Sequence, residues 1–197
     1  VSVMILVQRG VLALSAPLGA LLPAFADSPH KDATVAQLLG HCAGFPAYRP
    51  YFAQLEKAAP ASRARVLEGL LAREAREYPP GERTLYSDPG YMALHLLVRK
   101  AARRRLDVLA REAVYLPLGL DDLFFLPLEG EGPAPSAPEN VAATQACPRR
   151  GRVLQGEVHD ENAHALSGVA GHAGLFGTAL AVWGLLAELA NAWEGEA

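Results

Sequence analysis

The stretch YSDPGYMALHLLVRKAARRR, residues 86–105, constrains this chain more than any other. A tyrosine, a serine and an aspartate stand on a turn directly ahead of an apolar helical pattern. The spacing predicts a helix over 89–104 with three polar groups at its start. The basic run RKAARRR at 99–105 closes that helix, where cations suit the negative end of the helix dipole, and reads as a solvated helix end rather than a binding patch.

Helical periodicity recurs on both sides. Residues 1–9 read as the end of a core helix with Gly10 as its C-cap, followed by a loop and short turn in LALSAPLGALLPAF. Thr34 is an N-cap for a segment with Val35, Leu38 and Leu39 on one face, broken by HCAGFPAYRP. SRARVLEGLLAREAREY places Val66, Leu67, Leu70 and Leu71 at helical spacing and is ended by PPGERT. A further helix is expected over 106–115, then a turn and short strand in LPLGLDDLFFLP, and EGEGPAPSAPEN at 129–140 reads as a surface loop. The chain closes on an amphipathic helix, TALAVWGLLAELANAW, capped by Thr178.

Bulk properties exclude several classes. With 197 residues, 51% of them hydrophobic and 20% charged, the chain has ordinary globular composition and can bury a core. A formal charge of -3 gives no basic footprint for nucleic acid. Cys42 and Cys147 are too few for a disulfide framework and read as buried, inert thiols. Ala24 to Ala26 imitates a signal cleavage site, but Pro17 and Gly19 interrupt the apolar run before it. Gln8 and Arg9 cut the N-terminal apolar run far below the ~20 residues of a membrane span. The compartment stays open.

Four blocks, AQLLGHCAGFPAY, YSDPGYMALHLLVRKA, YLPLGLDDLFFLP and GEVHDENAHALSGVAGHAGLFGTA, occur in an order and spacing that resembles serine hydrolases of the class C β-lactamase and penicillin-binding-protein-like superfamily, a bacterial and esterase-like group. The resemblance implies an α+β, β-lactamase/transpeptidase-like fold. Residues 1–197 would form a single partial domain, mostly the helical part with few short strands. It also implies acyl transfer to a serine from an ester, amide or lactam, with no cofactor. Tyr86 would be the general base, and Asp88 would stand where an asparagine usually orients substrate and a lysine. The aspartate keeps an acceptor and loses the amide donor.

The expected S-x-x-K is not matched by Ser28 to Lys31, which sits in a polar loop without a following apolar helix. The chain is expected to begin just after its nucleophile, with the K-T-G-like strand beyond Ala197, and to be inactive alone. GHAGLFGT at 171–178 mimics an H-x-G variant of K-T-G, but Thr178 leads into a helix, so the stretch reads as a glycine-rich turn.

His159 and His172 are placed nearest substrate by the same resemblance, while His41, at a helix end, and His95 are read as structural. The run HDENAH offers a metal-dependent alternative centred on His159, Asp160 and His164. The two histidines, about 140° apart on a helix, do not form a zinc-protease pair, so no metal is assigned. Asp160 and Asn162 are expected to cap local turns. A second alternative is a catalytically dead binding module of the same fold. Partners are a small-molecule acyl substrate, no nucleic acid and no membrane span. Self-association is expected through apolar helix faces that lack a sheet to pack against.

Overall fold

The computed structural model describes residues 1–129 and 140–195, so all but the two ends of the loop expected at 129–140 lies outside the described residues. Helix α1, Ser2–Gln8, buries Val3 and Leu6, and Gly10, at φ +67°, follows its cap at Arg9. The segment expected as loop and turn forms a short helix α2, Leu18–Leu21, and a 3-10 turn, Pro23–Phe25. Ser28 is buried in the next turn, where its hydroxyl accepts from His30 N, so Ser28 to Lys31 does not start a helix.

Helix α3, Val35–Leu39, begins at Thr34 as expected, with a reciprocal device added. Gln37 N donates to the Thr34 hydroxyl, and Thr34 N donates to the Gln37 side chain. Helix α4, Phe52–Leu55, is a single turn. Helix α5, Arg63–Arg73, ends well before the expected break at PPGERT. Glu74 leaves the helix with extended backbone because its carboxylate is taken by the Tyr51 hydroxyl at 2.7 Å and Arg49 Nε at 3.0 Å.

Helix α6, Asp88–Ala102, is the centre of the fold. Pro89, Gly90 and every residue from Met92 to Val98 are buried, because α1, α3, α5 and helix α7, Leu106–Ala110, all pack on it. A helix buried on all sides is apolar all round, which is the pattern of MALHLLV. Arg103, at φ +51°, ends it in the left-handed region. The helix expected over 106–115 is correct in extent but not in kind: residues Arg111–Tyr115 continue α7 as a π-helix.

The strands are short. β1, Leu123–Phe125, was expected; the finding against expectation is β4, Leu175–Gly177, which pairs antiparallel with it in the stretch read as a turn. The Phe124 and Phe176 rings stack across that pair with centroids 6.1 Å apart. Three residues show no periodicity, so only the non-local partner reveals the strand. Between them, β2, Ala146–Cys147, and β3, Arg152–Val153, form a small hairpin, and helix α8 covers Glu161–Ala165. Cys147 is buried and Cys42 half-buried, both as free thiols.

Helix α9, Ala179–Glu194, starts at Thr178, whose hydroxyl accepts from Ala181 N. Leu180 is 81% exposed, Trp183 70% and Trp193 92%, the apolar face on which the expected association depends. No helix among the described residues is long and apolar enough to cross a membrane.

Candidate active site

The turn that carries Tyr86 is held by the end of α3. Cys42 N donates to Gln37 O and His41 N to Leu38 O, a Schellman ending with His41 in the left-handed position, φ +53°, where glycine is usual. From there residues 41–47 run beside 85–88. Leu85 N donates to His41 O at 2.9 Å, Ser87 N to the His41 ring Nδ1 at 3.1 Å, and Asp88 N to Ala47 O at 3.0 Å. Gly44 lets the same segment pass close to residues 76–78, since a Cβ there would run into the Tyr78 carbonyl and its φ is +81°. The Ser87 hydroxyl donates to Pro46 O at 2.7 Å and accepts from Gly90 N at 3.0 Å, capping α6. Ser87 is thus committed to structure and is buried.

Tyr86 projects from this clamped backbone with 64% of its surface exposed. Its ring tilts towards His41 with centroids 4.7 Å apart, and His41 in turn stacks on Tyr91 at 4.4 Å. Partial burial against the loop and the neighbouring Asp88 carboxylate raise the phenol above its ordinary range. Burial pushes the Asp88 carboxyl up, and Asp160 adds to that against the pull of His172 and His41.

The second half of the site comes from 156–172. Asp160 caps α8 by accepting from Ala163 N at 2.7 Å, and the same oxygen accepts from His172 Nε2 at 3.0 Å. Against the cost of its burial, these bonds hold the Asp160 carboxyl below the usual carboxylate range. His172 reaches it because Gly171 lies flat on α6, where a Cβ would sit 2.5 Å from the Tyr91 carbonyl and 3.1 Å from His95 Cβ. The turn cap expected of Asp160 is present, whereas Asn162 does something else. Fully buried, it accepts from Phe52 N at 2.8 Å and donates to Arg49 O at 2.9 Å, fastening α8 to α4.

The structure therefore brings Tyr86, Asp88 and His172 into one electrostatic neighbourhood and adds His41 and Asp160 to it. His159 is elsewhere. It pairs with Gln145 at 2.6 Å and lines a cleft of about 800 Å³ with Tyr115, Leu123 and Phe176. The metal alternative loses its geometry, because His159, Asp160 and His164 turn to Gln145, His172 and Glu157 respectively, and no group of three ligands gathers among the described residues. Sequence reasoning missed His41 and the second bond of Asp160. The signal for His41 was a non-glycine residue directly after Gly40 at a helix end.

Replacing Asp160 by alanine removes both the α8 cap and the partner of His172. We expect urea unfolding to show a loss of about 1–2 kcal/mol, with Asp160→Asn costing less because asparagine caps equally well. An Asp160→Ala protein as stable as the parent would contradict the bond assignment.

Tyr86 is thus an exposed tyrosine just ahead of a capped helix start, with a carboxylate two residues on where the resemblance leads one to expect an asparagine. Comparison with known proteins shows the family. A family model described as Beta-lactamase matches residues 1–192. A putative D-alanyl-D-alanine carboxypeptidase of Escherichia coli K12 is 34% identical over 87% of this chain and 43% of its own. An N-acetylmuramyl-L-alanine amidase of Bacillus subtilis 168 is 35% identical over 88% of this chain and 43% of its own. The crystal structure of a penicillin binding protein from Bacillus halodurans superposes with a TM-score of 0.66 at 23% identity, over 96% of this chain and 56% of that one, which shows the shared fold. The chain belongs to the β-lactamase family of the serine hydrolase superfamily, with its α+β fold, and spans less than half the length of the curated relatives it matches.

Proposed function

We propose that this chain supplies the proton-handling side of an acyl-transfer site acting on D-alanyl amides, or on esters and lactams of similar shape. The observation that carries the reading is an exposed phenol whose backbone is gripped at the residues on both sides of it. In this reading a serine oxygen attacks the substrate carbonyl while Tyr86 takes the hydroxyl proton, and the tetrahedral oxyanion collapses as Tyr86 returns that proton to the leaving amine or alcohol. Water then repeats the cycle on the acyl-serine. Asp88 accepts hydrogen bonds from the cationic partner of the nucleophile. His172, its side chain 2% exposed, acts through Asp160 rather than by touching substrate. His159, on the large cleft, contacts the distal part of the substrate. The name of the Escherichia coli relative, a putative D-alanyl-D-alanine carboxypeptidase, supports the D-alanyl class, and that of the Bacillus subtilis amidase supports amide cleavage more broadly.

One observation favours the binding-module reading: partial burial, together with the neighbouring Asp88, Tyr91 and Asp160, raises the Tyr86 pKa and so opposes a phenolate. A fluorophosphonate probe separates the two. The product of the complete gene encoding these residues is expected to gain one covalent adduct, mapped to the serine of an S-x-x-K sequence. Saturable binding of acyl ligands without any adduct would favour the binding module.

A further inference from the structure

Resting on the reading of Tyr86 as the proton-transfer group, we infer that His41 is its positioning residue, gripping the backbone on both sides of the phenol and doing so only while its ring is neutral. Three observations carry this. First, one residue supplies both grips: the His41 carbonyl takes Leu85 N and its ring Nδ1 takes Ser87 N, so Tyr86 is the residue suspended between them. Second, His41 holds a left-handed backbone at φ +53°. A non-glycine residue there costs on the order of 1–3 kcal/mol and persists only where its surroundings over-determine it; histidine is among the residues enriched in that region. Third, the ring packs against two aromatic rings, stacked on Tyr91 at 4.4 Å and tilted to Tyr86 at 4.7 Å, which restrains its plane so that Nδ1 meets the Ser87 amide.

The acceptor role sets the tautomer. A backbone N–H can donate only to an unprotonated nitrogen, so the ring carries its proton on Nε2. Protonation of Nδ1 would turn the acceptor into a donor facing a donor, releasing Ser87 N. The groups facing the ring are Tyr86 from the loop and Asp88 and Tyr91 from α6, while the Tyr78 hydroxyl donates to the His41 carbonyl and Cys42 follows it in the chain. Burial lowers the ring's pKa and Asp88 opposes that; the balance lies below the ordinary histidine value, so the grip is closed at neutral pH.

Two variants that accept the left-handed backbone provide the test. His41→Gly removes the ring acceptor; His41→Asn keeps an acceptor that does not titrate. In the complete gene product, His41→Gly is expected to lower kcat roughly 10- to 100-fold with KM within about twofold, the cost of a misplaced catalytic group. His41→Asn is expected to restore most of that loss and to lose the part of the acid limb of kcat that His41 contributes. In the 197-residue chain itself, imidazole nitrogen NMR is expected to show Nδ1 bare and Nε2 protonated at neutral pH. Equal rates for wild type and His41→Gly, failure of His41→Asn to recover, an unchanged acid limb, or an Nδ1–H tautomer would each overturn the inference. If Tyr86→Phe is inactive while His41→Gly is fully active, only the role of His41 falls. If Tyr86→Phe keeps full activity, the reading of Tyr86 itself falls.

Discussion

Tyr86→Phe in the complete gene product is expected to lower the acylation rate by about 10²- to 10⁴-fold, the range for removing a general acid–base group. The substitution takes away one hydroxyl from a ring that is 64% exposed. The grips on the turn use the backbone of Leu85, Ser87 and Asp88, so they survive it. Thermal unfolding should therefore match wild type, and substrate KM should change little. This separation of rate from stability distinguishes a chemical role from a packing role. A variant with wild-type turnover would remove Tyr86 from the mechanism, whereas a variant that unfolds would contradict the exposure of the ring.

The largest stability effect is expected from acid acting on two buried histidines. His30 is fully buried, stacked on Phe45 at 3.6 Å, with Nδ1 donating to Ala43 O at 3.3 Å. His95 lies on α6 under Gly171. Burial lowers each to about 4, with Arg99 adding to the effect at His95. Unfolded, each titrates near 6.5. Between those values the unfolded chain binds more protons than the folded one, so stability rises with pH and is lost as pH falls from about 6.5 towards 4. A shift of this size is worth about 3 kcal/mol for each ring at the acid end of the window. Asp160, with its lowered carboxyl, has the depressed-carboxylate sign and acts in a lower window: its contribution is present above the ordinary carboxylate range and lost only as pH falls through its folded value. Urea unfolding at several pH values between 7 and 4 should show this slope, reduced by about one proton in His95→Leu. A flat profile over that interval would mean the rings are hydrated or charged in the fold.

How much of this was legible in the sequence differs by element. Helix α6 and the caps at Thr34 and Thr178 were readable because their signals are local: a capping side chain and an apolar repeat within a few residues. The early end of α5 was not, since it depends on Tyr51 and Arg49 reaching Glu74 from another segment. β4 was hidden for the same reason, its identity residing in a partner some fifty residues earlier in the chain. At the site, Tyr86 and Asp88 were singled out by their motif, and the structure puts Asp88 at the start of α6 with Tyr86 exposed just ahead of it. His159 and His172 looked equivalent in sequence, yet one lines the large cleft and the other is buried against Asp160. His41 read as a helix end, which it is. Its ring contact with Ser87 spans 46 residues and leaves no local trace.

The central claim is that Tyr86 moves the proton for a serine that becomes acylated. Rapid-quench mass spectrometry of the complete gene product with an activated ester tests it most directly, run side by side for wild type and Tyr86→Phe. An acyl-protein that accumulates within the first turnover in wild type, and at least about 100-fold more slowly in the variant, is the predicted result. Acyl-protein formed at equal rates in both, or in neither while the ester is still hydrolysed, would contradict it.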